Sequence, residues 1–421
     1  MLLCVEETGE LRGCVEVPGS KSYTHRALVT AALGKKSRIR NPLISSDTLA
    51  TKKACEALGA EITEREGDWI VEGVDGVIDF EREVIDVGNS GTTLRFITPL
   101  AALSDKWVEI TGDSSIRGRP MKPLLDSLRE RAEIESSDGF PPLRLRKRKD
   151  VVDGKIGVKG DVSSQYVSAL LLAAPLVGLE INLEGELKSR PYVDLTLEVM
   201  EKAGVRVEER EGGFYVGRQG YRELDYRVPG DYSSAANVLA PCSFIESDVE
   251  LKNLYMDRQG DRRILDILGE MGVPLKQGED YVRVRNAESL DAVEFDASDT
   301  PDIVLPLVAV ACFAQGKSVF RNIEHLRFKE SDRLKACNEF RKLGARVKIL
   351  RDSIEVEGPV KAKPADMRGF QDHRVVMALA SAALNAGGGV SRIGSADMLN
   401  VSFPNYLGMM QSLGAKMWVE E

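Results

Sequence analysis

The chain has 421 residues, 43% hydrophobic and 29% charged, a soluble globular composition too long for one ordinary core, so two domains are expected. Its 57 Lys and Arg against 66 Asp and Glu leave a net charge of −9. That balance excludes a nucleic-acid binder held by a general basic field and leaves any anionic ligand to a local cluster of cations.

The first predicted element pair lies in "VEVPGSKSYTHRALVTAAL", starting at Val15: a short strand, a Pro-Gly-Ser turn, then a helix apolar on nearly every side, with Lys21 at the junction. A small polar turn before a wholly apolar helix recurs five times, at "NSGTTLRFITPLAAL", "SSQYVSALLLAAPL", "YSSAANVLAPCSF", "DTPDIVLPLVAVACF" and "QDHRVVMALASAAL". With Ser22, Thr92, Ser164, Ser233, Asp302 and His373 as markers, the steps are 70, 72, 69, 69 and 71 residues. A second helix follows each, ending in Gly-Ala or Gly-Val before a hairpin such as "EITEREGDWIVEG". Its capping glycines are Gly59, Gly204, Gly272, Gly344 and Gly414, and the copy "LRERAEI" has Ala132 instead. Each of six units therefore reads strand, apolar helix, strand, amphipathic helix, hairpin, and repeats of this length mean stacked equivalent units. Helices apolar all round must be buried. Three per domain predict two similar α/β globules, divided near "RVPGDYSS" with no low-complexity linker.

The six cysteines (Cys4, Cys14, Cys55, Cys242, Cys312, Cys337) form no CxxC, so zinc and redox motifs are unsupported, and most are expected as buried free thiols in a reducing cytosol. No apolar h-region follows the start, and no apolar run reaches the length of a membrane span.

Helix N-termini carry free N–H groups and partial positive charge, so six such ends facing one cleft would form a polyanion site. "GSKS" fails the P-loop pattern, which needs Gly directly before Lys. Alone, Lys21 reads equally as a solvated residue beside an N-cap serine. Arg26, on the same helix start, is expected to share its neighbourhood or to point into the same groove, and two cations there oppose the helix dipole unless an anion lies between them. "NSGTTLR" adds Gly91, open to close approach, and Arg95; "IRGRPMKPLLD" adds Arg117 and Arg119; "GFQDHRVVMALA" adds His373 and Arg374. In "HLRFKESDRLKACNEFRKLGA", Lys329, Glu330, Asp332 and Arg333 cluster where a helix starts, and Glu330 and Arg333 are spaced to pair. Asp302 could be only a cap. Cations at equivalent helix starts in at least four of six units favour an anionic-substrate cleft.

These segments, in this order and over nearly the whole chain, resemble the 5-enolpyruvylshikimate-3-phosphate synthase family of enolpyruvyl transferases. "PGSKSYTHRAL", "GNSGTTLRF", "IRGRPMKPL", "SSQYVSALLLAAP", "KSRPYVDLT", Pro301-Asp302, "RFKESDRL" and "DHR" carry the resemblance. It implies two domains of three βαβαββ units each, 20–230 on the shikimate 3-phosphate side and 1–19 plus 231–421 on the phosphoenolpyruvate side, with an active-site cleft between them. It implies addition of the 5-hydroxyl of shikimate 3-phosphate to C2 of phosphoenolpyruvate, then loss of phosphate, in the cytoplasmic route to chorismate and aromatic amino acids. Shikimate 3-phosphate would be held by Lys21, Ser22, Arg26, Ser163, Ser164, Gln165, Ser189, Tyr192, Asp302, His325 and Lys329. Phosphoenolpyruvate would be held by Lys21, Gly91, Arg119, Gln165, Arg333 and Arg374. Asp302 toward the hydroxyl, Glu330 toward the methylene carbon and Lys21 bridging both would carry the protons. No metal, cofactor, nucleic acid or membrane is implied, and a monomer is expected.

Two positions depart from the family pattern. His325 stands where Asn is frequent, and Val401 in "NVSFPNY" stands where a lysine is frequent. The UDP-N-acetylglucosamine enolpyruvyl transferases share fold and chemistry but carry a cysteine ahead of the Arg-Pro; here Ser114 and Ser115 lie there, and no cysteine occurs between Cys55 and Cys242. A non-catalytic anion binder on the same scaffold would have no use for both Asp302 and Glu330.

Overall fold

The structure is a computed structural model and describes residues 1–149 and 154–421. The chain divides into two compact units, Lys21–Val228 and Met1–Ser20 with Pro229–Glu421. Each has one continuous apolar core.

The Lys21–Val228 unit holds three four-stranded sheets of one design. In the first, Asp225–Arg227 pairs parallel with Lys36–Arg40, which pairs antiparallel with Asp68–Glu72 and through it with Glu61–Arg65. The order repeats in Val84–Asp86, Val108–Thr111, Phe140–Lys147, Ala132–Ser137. It repeats again in Gly154–Lys159, Leu179–Glu184, Gly213–Val216, Glu208–Arg210. A parallel pair needs a helical crossover, and the crossovers here include the apolar helices Gly91–Ala101 and Ser164–Val177. With Lys21–Leu33 they form the interior, almost every side chain buried. The helices Ser46–Ala57, Lys122–Leu128 and Arg190–Lys202 bury one face each.

The other unit repeats the plan. Its sheets run Glu10–Glu16, Glu246–Lys252, Tyr281–Arg285, Leu275–Gln277; Glu294–Asp296, Gly316–Arg321, Ile354–Gly358, Arg346–Ile349; and Asp366–Met367, Val390–Gly394, Leu2–Glu6, Met417–Glu420. In the last, the N-terminal strand Leu2–Glu6 fills the place a hairpin strand takes elsewhere. Every residue of the helices Tyr232–Cys242, Val304–Ala311 and His373–Ala383 is buried.

Gly59, Gly204, Gly272, Gly344 and Gly414 all have φ between 78° and 106°, the left-handed region where a Cβ is strained, so each ends its helix as glycine alone does cheaply. The copy with Ala132 leaves its helix through Arg129 at φ −58°, a right-handed conformation open to any residue, and Ala132 starts the next strand. Around Gly230, Ser20 N donates to Pro229 O (2.7 Å), Asp231 N to Pro18 O (2.9 Å) and Gln259 Nε2 to Gly230 O (2.8 Å). A Cβ on Gly230 would lie 2.3 Å from Asn253 O. Five of the six cysteines are buried; Cys14 is exposed. Among the described residues, no helix is long and apolar enough to cross a membrane.

Candidate active site

In the Lys21–Val228 unit, three polar groupings sit at the starts of the buried helices. Lys21 opens the first helix, and its Nζ donates to Asp47 Oδ2 at 3.0 Å, both side chains largely buried. Arg26 does not share that neighbourhood. Five residues along a helix is about 140° around it, and Arg26 turns to the other side. Its Nε donates to Thr196 Oγ1 (2.7 Å), its Nη1 to Ser22 O (2.8 Å) and its Nη2 to Tyr192 O (2.7 Å), with the Phe96 ring 5.3 Å from its Cζ. Burial pulls its guanidinium down to about 10, against the smaller opposing effect of Tyr192. Ser22 and Tyr192, both half-buried, are thus anchored through their carbonyls.

The second grouping surrounds Gly91. Its Cβ site is already filled: a methyl there would lie 2.3 Å from Arg119 Nη1 and 2.6 Å from Arg95 Nη1. The absent side chain admits two guanidinium groups. Arg95 Nη1 donates to Gly91 O (3.0 Å) and Gln165 Oε1 (2.9 Å), and Gln165 Nε2 donates to Thr92 Oγ1 (3.1 Å), which fixes the amide's orientation. Arg119 is buried; Arg117, two residues before it, is exposed. The third grouping is hydroxylic. Ser163 caps its helix by accepting from Gln165 N (3.3 Å), Ser164 is buried, and Ser189 sits at φ 55° before Arg190–Lys202. A left-handed serine stores strain of the kind found at ligand sites.

In the other unit, Arg333 is the hub. It is 1% exposed and meets three carboxylates: Nε to Asp372 Oδ2 (2.9 Å), Nη1 to Asp302 Oδ1 (2.9 Å) and Nη2 to Glu330 Oε2 (2.5 Å). Arg374 Nη2 donates to Asp302 Oδ2 (2.9 Å), so the Asp302 carboxylate spans two arginines, one per oxygen. Asp302 is not a cap: it lies in the 3-10 turn Pro301–Ile303 and its carboxylate turns to these guanidinium groups. The cap is Asp372, wholly buried, whose Oδ1 accepts from Arg374 N (3.0 Å) and whose Oδ2 accepts from Ser331 Oγ (3.0 Å). Burial would raise the Asp302 carboxyl, but Arg374, then Arg333 and Lys329, outweigh it and hold it well below the usual carboxylate range. Burial lowers the Lys329 ammonium, with Asp302 opposing. Asp261, whose Oδ2 accepts from Ser233 Oγ, is pushed up to about 7 by burial and then by the charge of Asp302.

His325 is half-buried in the 3-10 turn Glu324–Phe328, and His373 is buried at the first position of its helix. Val401, at the end of the turn Ala396–Val401, is buried and supplies no cation. Asp47, Thr196, Asp261 and Asp372 were not singled out in the sequence. Asp372 and Thr196 do lie in the quoted segments "DHR" and "KSRPYVDLT"; otherwise the signal was position, Asp372 and Asp47 standing at helix starts, where acidic residues are ordinary.

Solved structures share this fold. An EPSP synthase from Acinetobacter baumannii superposes with a TM-score of 0.84 at 22% identity, covering 100% of both chains. The enolpyruvyl transferase NikO from Streptomyces tendae gives 0.81 at 20% identity, covering 99% of this chain and 98% of that one. The architecture is thus that of the enolpyruvyl transferases. The family profile of EPSP synthase (3-phosphoshikimate 1-carboxyvinyltransferase) matches residues 5–410. The 3-phosphoshikimate 1-carboxyvinyltransferase of Methanothermobacter thermautotrophicus is 42% identical over 99% of both chains, and that of Methanocaldococcus jannaschii 40% identical over 100% of both. The chain belongs to the EPSP synthase family.

Proposed function

We infer that this chain transfers the enolpyruvyl group of phosphoenolpyruvate to the 5-hydroxyl of shikimate 3-phosphate, releasing phosphate, on the route to chorismate. Membership of the family supports the reaction. The observation that carries its chemistry is the cluster of Arg333 and Arg374 with Asp302 and Glu330. Two buried guanidinium groups suit a substrate carboxylate, and two carboxyls beside them suit proton transfer.

The roles follow from what each group offers. Arg333 and Arg374 hold the carboxylate of phosphoenolpyruvate. Lys21, Gly91, Arg119 and Gln165 attend its phosphate, with Arg95 fixing Gln165. Ser163, Ser164 and Ser189 offer hydroxyls to the phosphate of shikimate 3-phosphate. Ser22, Arg26, Gln165, Tyr192, Asp302, His325 and Lys329 attend its ring and remaining polar groups, and Lys21 bridges both substrates. In the addition, Asp302 takes the proton of the 5-hydroxyl, its oxygen bonds to C2, and the methylene carbon takes a proton from Glu330. In the elimination, a proton leaves the new methyl group for Glu330, the C2–O bond to phosphate breaks, the proton held by Asp302 passes to the departing phosphate, and the enol double bond returns. Neither step uses a metal or cofactor. We also read the enzyme as cytoplasmic, on five buried free cysteines and one exposed, and as a monomer; sedimentation equilibrium giving 46.2 kDa supports the monomer and twice that refutes it.

The deciding experiment is phosphate release from phosphoenolpyruvate with and without shikimate 3-phosphate. Release that requires both substrates is expected. No release, with UDP-N-acetylglucosamine also inert, refutes the reading.

A further inference from the structure

The arginines assigned to the substrate carboxylate are already holding a carboxylate. Asp302 gives one oxygen to Arg333 Nη1 and the other to Arg374 Nη2, both at 2.9 Å, as an incoming carboxylate would. Arg333 does not depend on Asp302 for its place: it keeps Nε on Asp372 and Nη2 on Glu330. Arg374 has its backbone held by the same Asp372, while its guanidinium reaches the Asp302 carboxylate and, from Nη1 at 3.5 Å, the Asp302 carbonyl. Asp302, by contrast, lies on a three-residue turn, and its side chain is 17% exposed against 1% and 6% for the arginines.

We propose that Asp302 is an internal stand-in for the substrate carboxylate, displaced from Arg333 and Arg374 by phosphoenolpyruvate and only then free to act as the base. The inference rests on the reaction assigned above and deepens it. The exchange swaps one carboxylate for another, so the buried cations are never left uncompensated, which would be costly. It also changes what Asp302 can do. With each oxygen accepting from a guanidinium and its carboxyl held far below the usual range, Asp302 is a poor proton acceptor. Released, it regains basicity at the moment a substrate is in place. In the coupled step the hydroxyl proton passes to Asp302 as the C2–O bond forms, and the methylene carbon takes its proton from Glu330. The device confers specificity as well: an enol phosphate without a carboxylate leaves the base clamped.

The test has two arms, each on the full chain with phosphoenolpyruvate as the probe. The first is a crystal structure of the complex. The substrate carboxylate is expected on Arg333 Nη1 and Arg374 Nη2, with Asp302 beyond about 4 Å from both. Both Asp302 contacts persisting with the substrate bound overturns the proposal. The second is calorimetric titration near pH 5 in buffers of different ionisation enthalpy. Wild type is expected to take up a larger fraction of a proton than Asp302→Asn, because freeing Asp302 raises its affinity for protons; equal uptake overturns it. Asp302→Asn is also expected to bind phosphoenolpyruvate about tenfold tighter, the self-occupied fraction no longer being subtracted, and equal or weaker binding counts against the proposal. Should that variant not fold, the crystal structure decides. Failure here with phosphate release intact refutes the stand-in alone, whereas absent phosphate release refutes the reaction.

Discussion

Gly91→Ala isolates one atom at the site. The added Cβ would meet Arg119 Nη1 at 2.3 Å, Arg95 Nη1 at 2.6 Å and Arg119 Cζ at 3.2 Å, where ordinary contact begins at 3.4 Å. Both guanidinium groups must retreat by about 1 Å, a displacement that can cost on the order of 100-fold in a positioned site. Neither retreat breaks the fold, because both atoms are the ends of long side chains. Alanine in a helix gains up to about 1 kcal/mol over glycine. Loosening Arg95 from Gly91 O and Gln165 returns a similar amount, about 1 kcal/mol, so stability is expected to stay near wild type. Losing one charge-assisted contact to the phosphate costs about 1.5–3 kcal/mol, roughly 10- to 150-fold in affinity. The assay is phosphate release with each substrate varied in turn, beside a urea melt. KM for phosphoenolpyruvate should rise in that range, with KM for shikimate 3-phosphate moving far less. A KM for phosphoenolpyruvate within about twofold of wild type, against the estimated range, refutes the role of this glycine.

Glu330→Ala should fold normally and lose ~100- to 10,000-fold in turnover, the worth of a general acid or base; near-normal kcat removes Glu330 from the proton path. Arg333→Met strands the fully buried Asp372 without its main cationic partner and should cost about 3–5 kcal/mol in a urea melt; unchanged stability would show that Ser331 and the Arg374 amide suffice. Asp261→Asn tests a pH effect. The buried carboxyl is pushed up to about 7, while an unfolded Asp titrates near ~3.9. Between those values the folded chain holds a proton that the unfolded chain has lost, so stability falls as pH rises through that window and levels off above it. The variant should therefore gain on wild type between pH 4.5 and 7.5 in urea melts; parallel curves rule the linkage out.

The repeat was legible because it is written in residues with few alternatives. Five glycines were read as left-handed helix ends and all five have positive φ. The one copy without glycine uses a right-handed ending that needs none. The cationic half of the candidate site was equally visible, since Lys21, Arg333 and Arg374 at helix starts contradict the helix dipole, and Arg95 and Arg119 stand beside Gly91. Part of the acidic half, beyond Asp302 and Glu330, was hidden by agreeing with the dipole. Asp47 and Asp372 look like routine first-turn or cap residues, and only the fold shows Asp47 on Lys21 and Asp372 on Arg333. Arg26 was expected beside Lys21. Its helical position sends it to Thr196, 170 residues away, a pairing that sequence periodicity cannot report.

The strand Leu2–Glu6 lies between Val390–Gly394 and Met417–Glu420, and Glu10–Glu16 pairs with Glu246–Lys252. On a ribosome this sets a timetable. The Lys21–Val228 unit has all its partners once its closing strand Asp225–Arg227 has emerged and joined Lys36–Arg40. Glu10–Glu16, made before any of it, must wait for Glu246–Lys252, and Leu2–Glu6 for Val390–Gly394 and Met417–Glu420. They wait as unpaired strand edges, the kind of exposed segment that chaperones bind and that aggregates when release is slow.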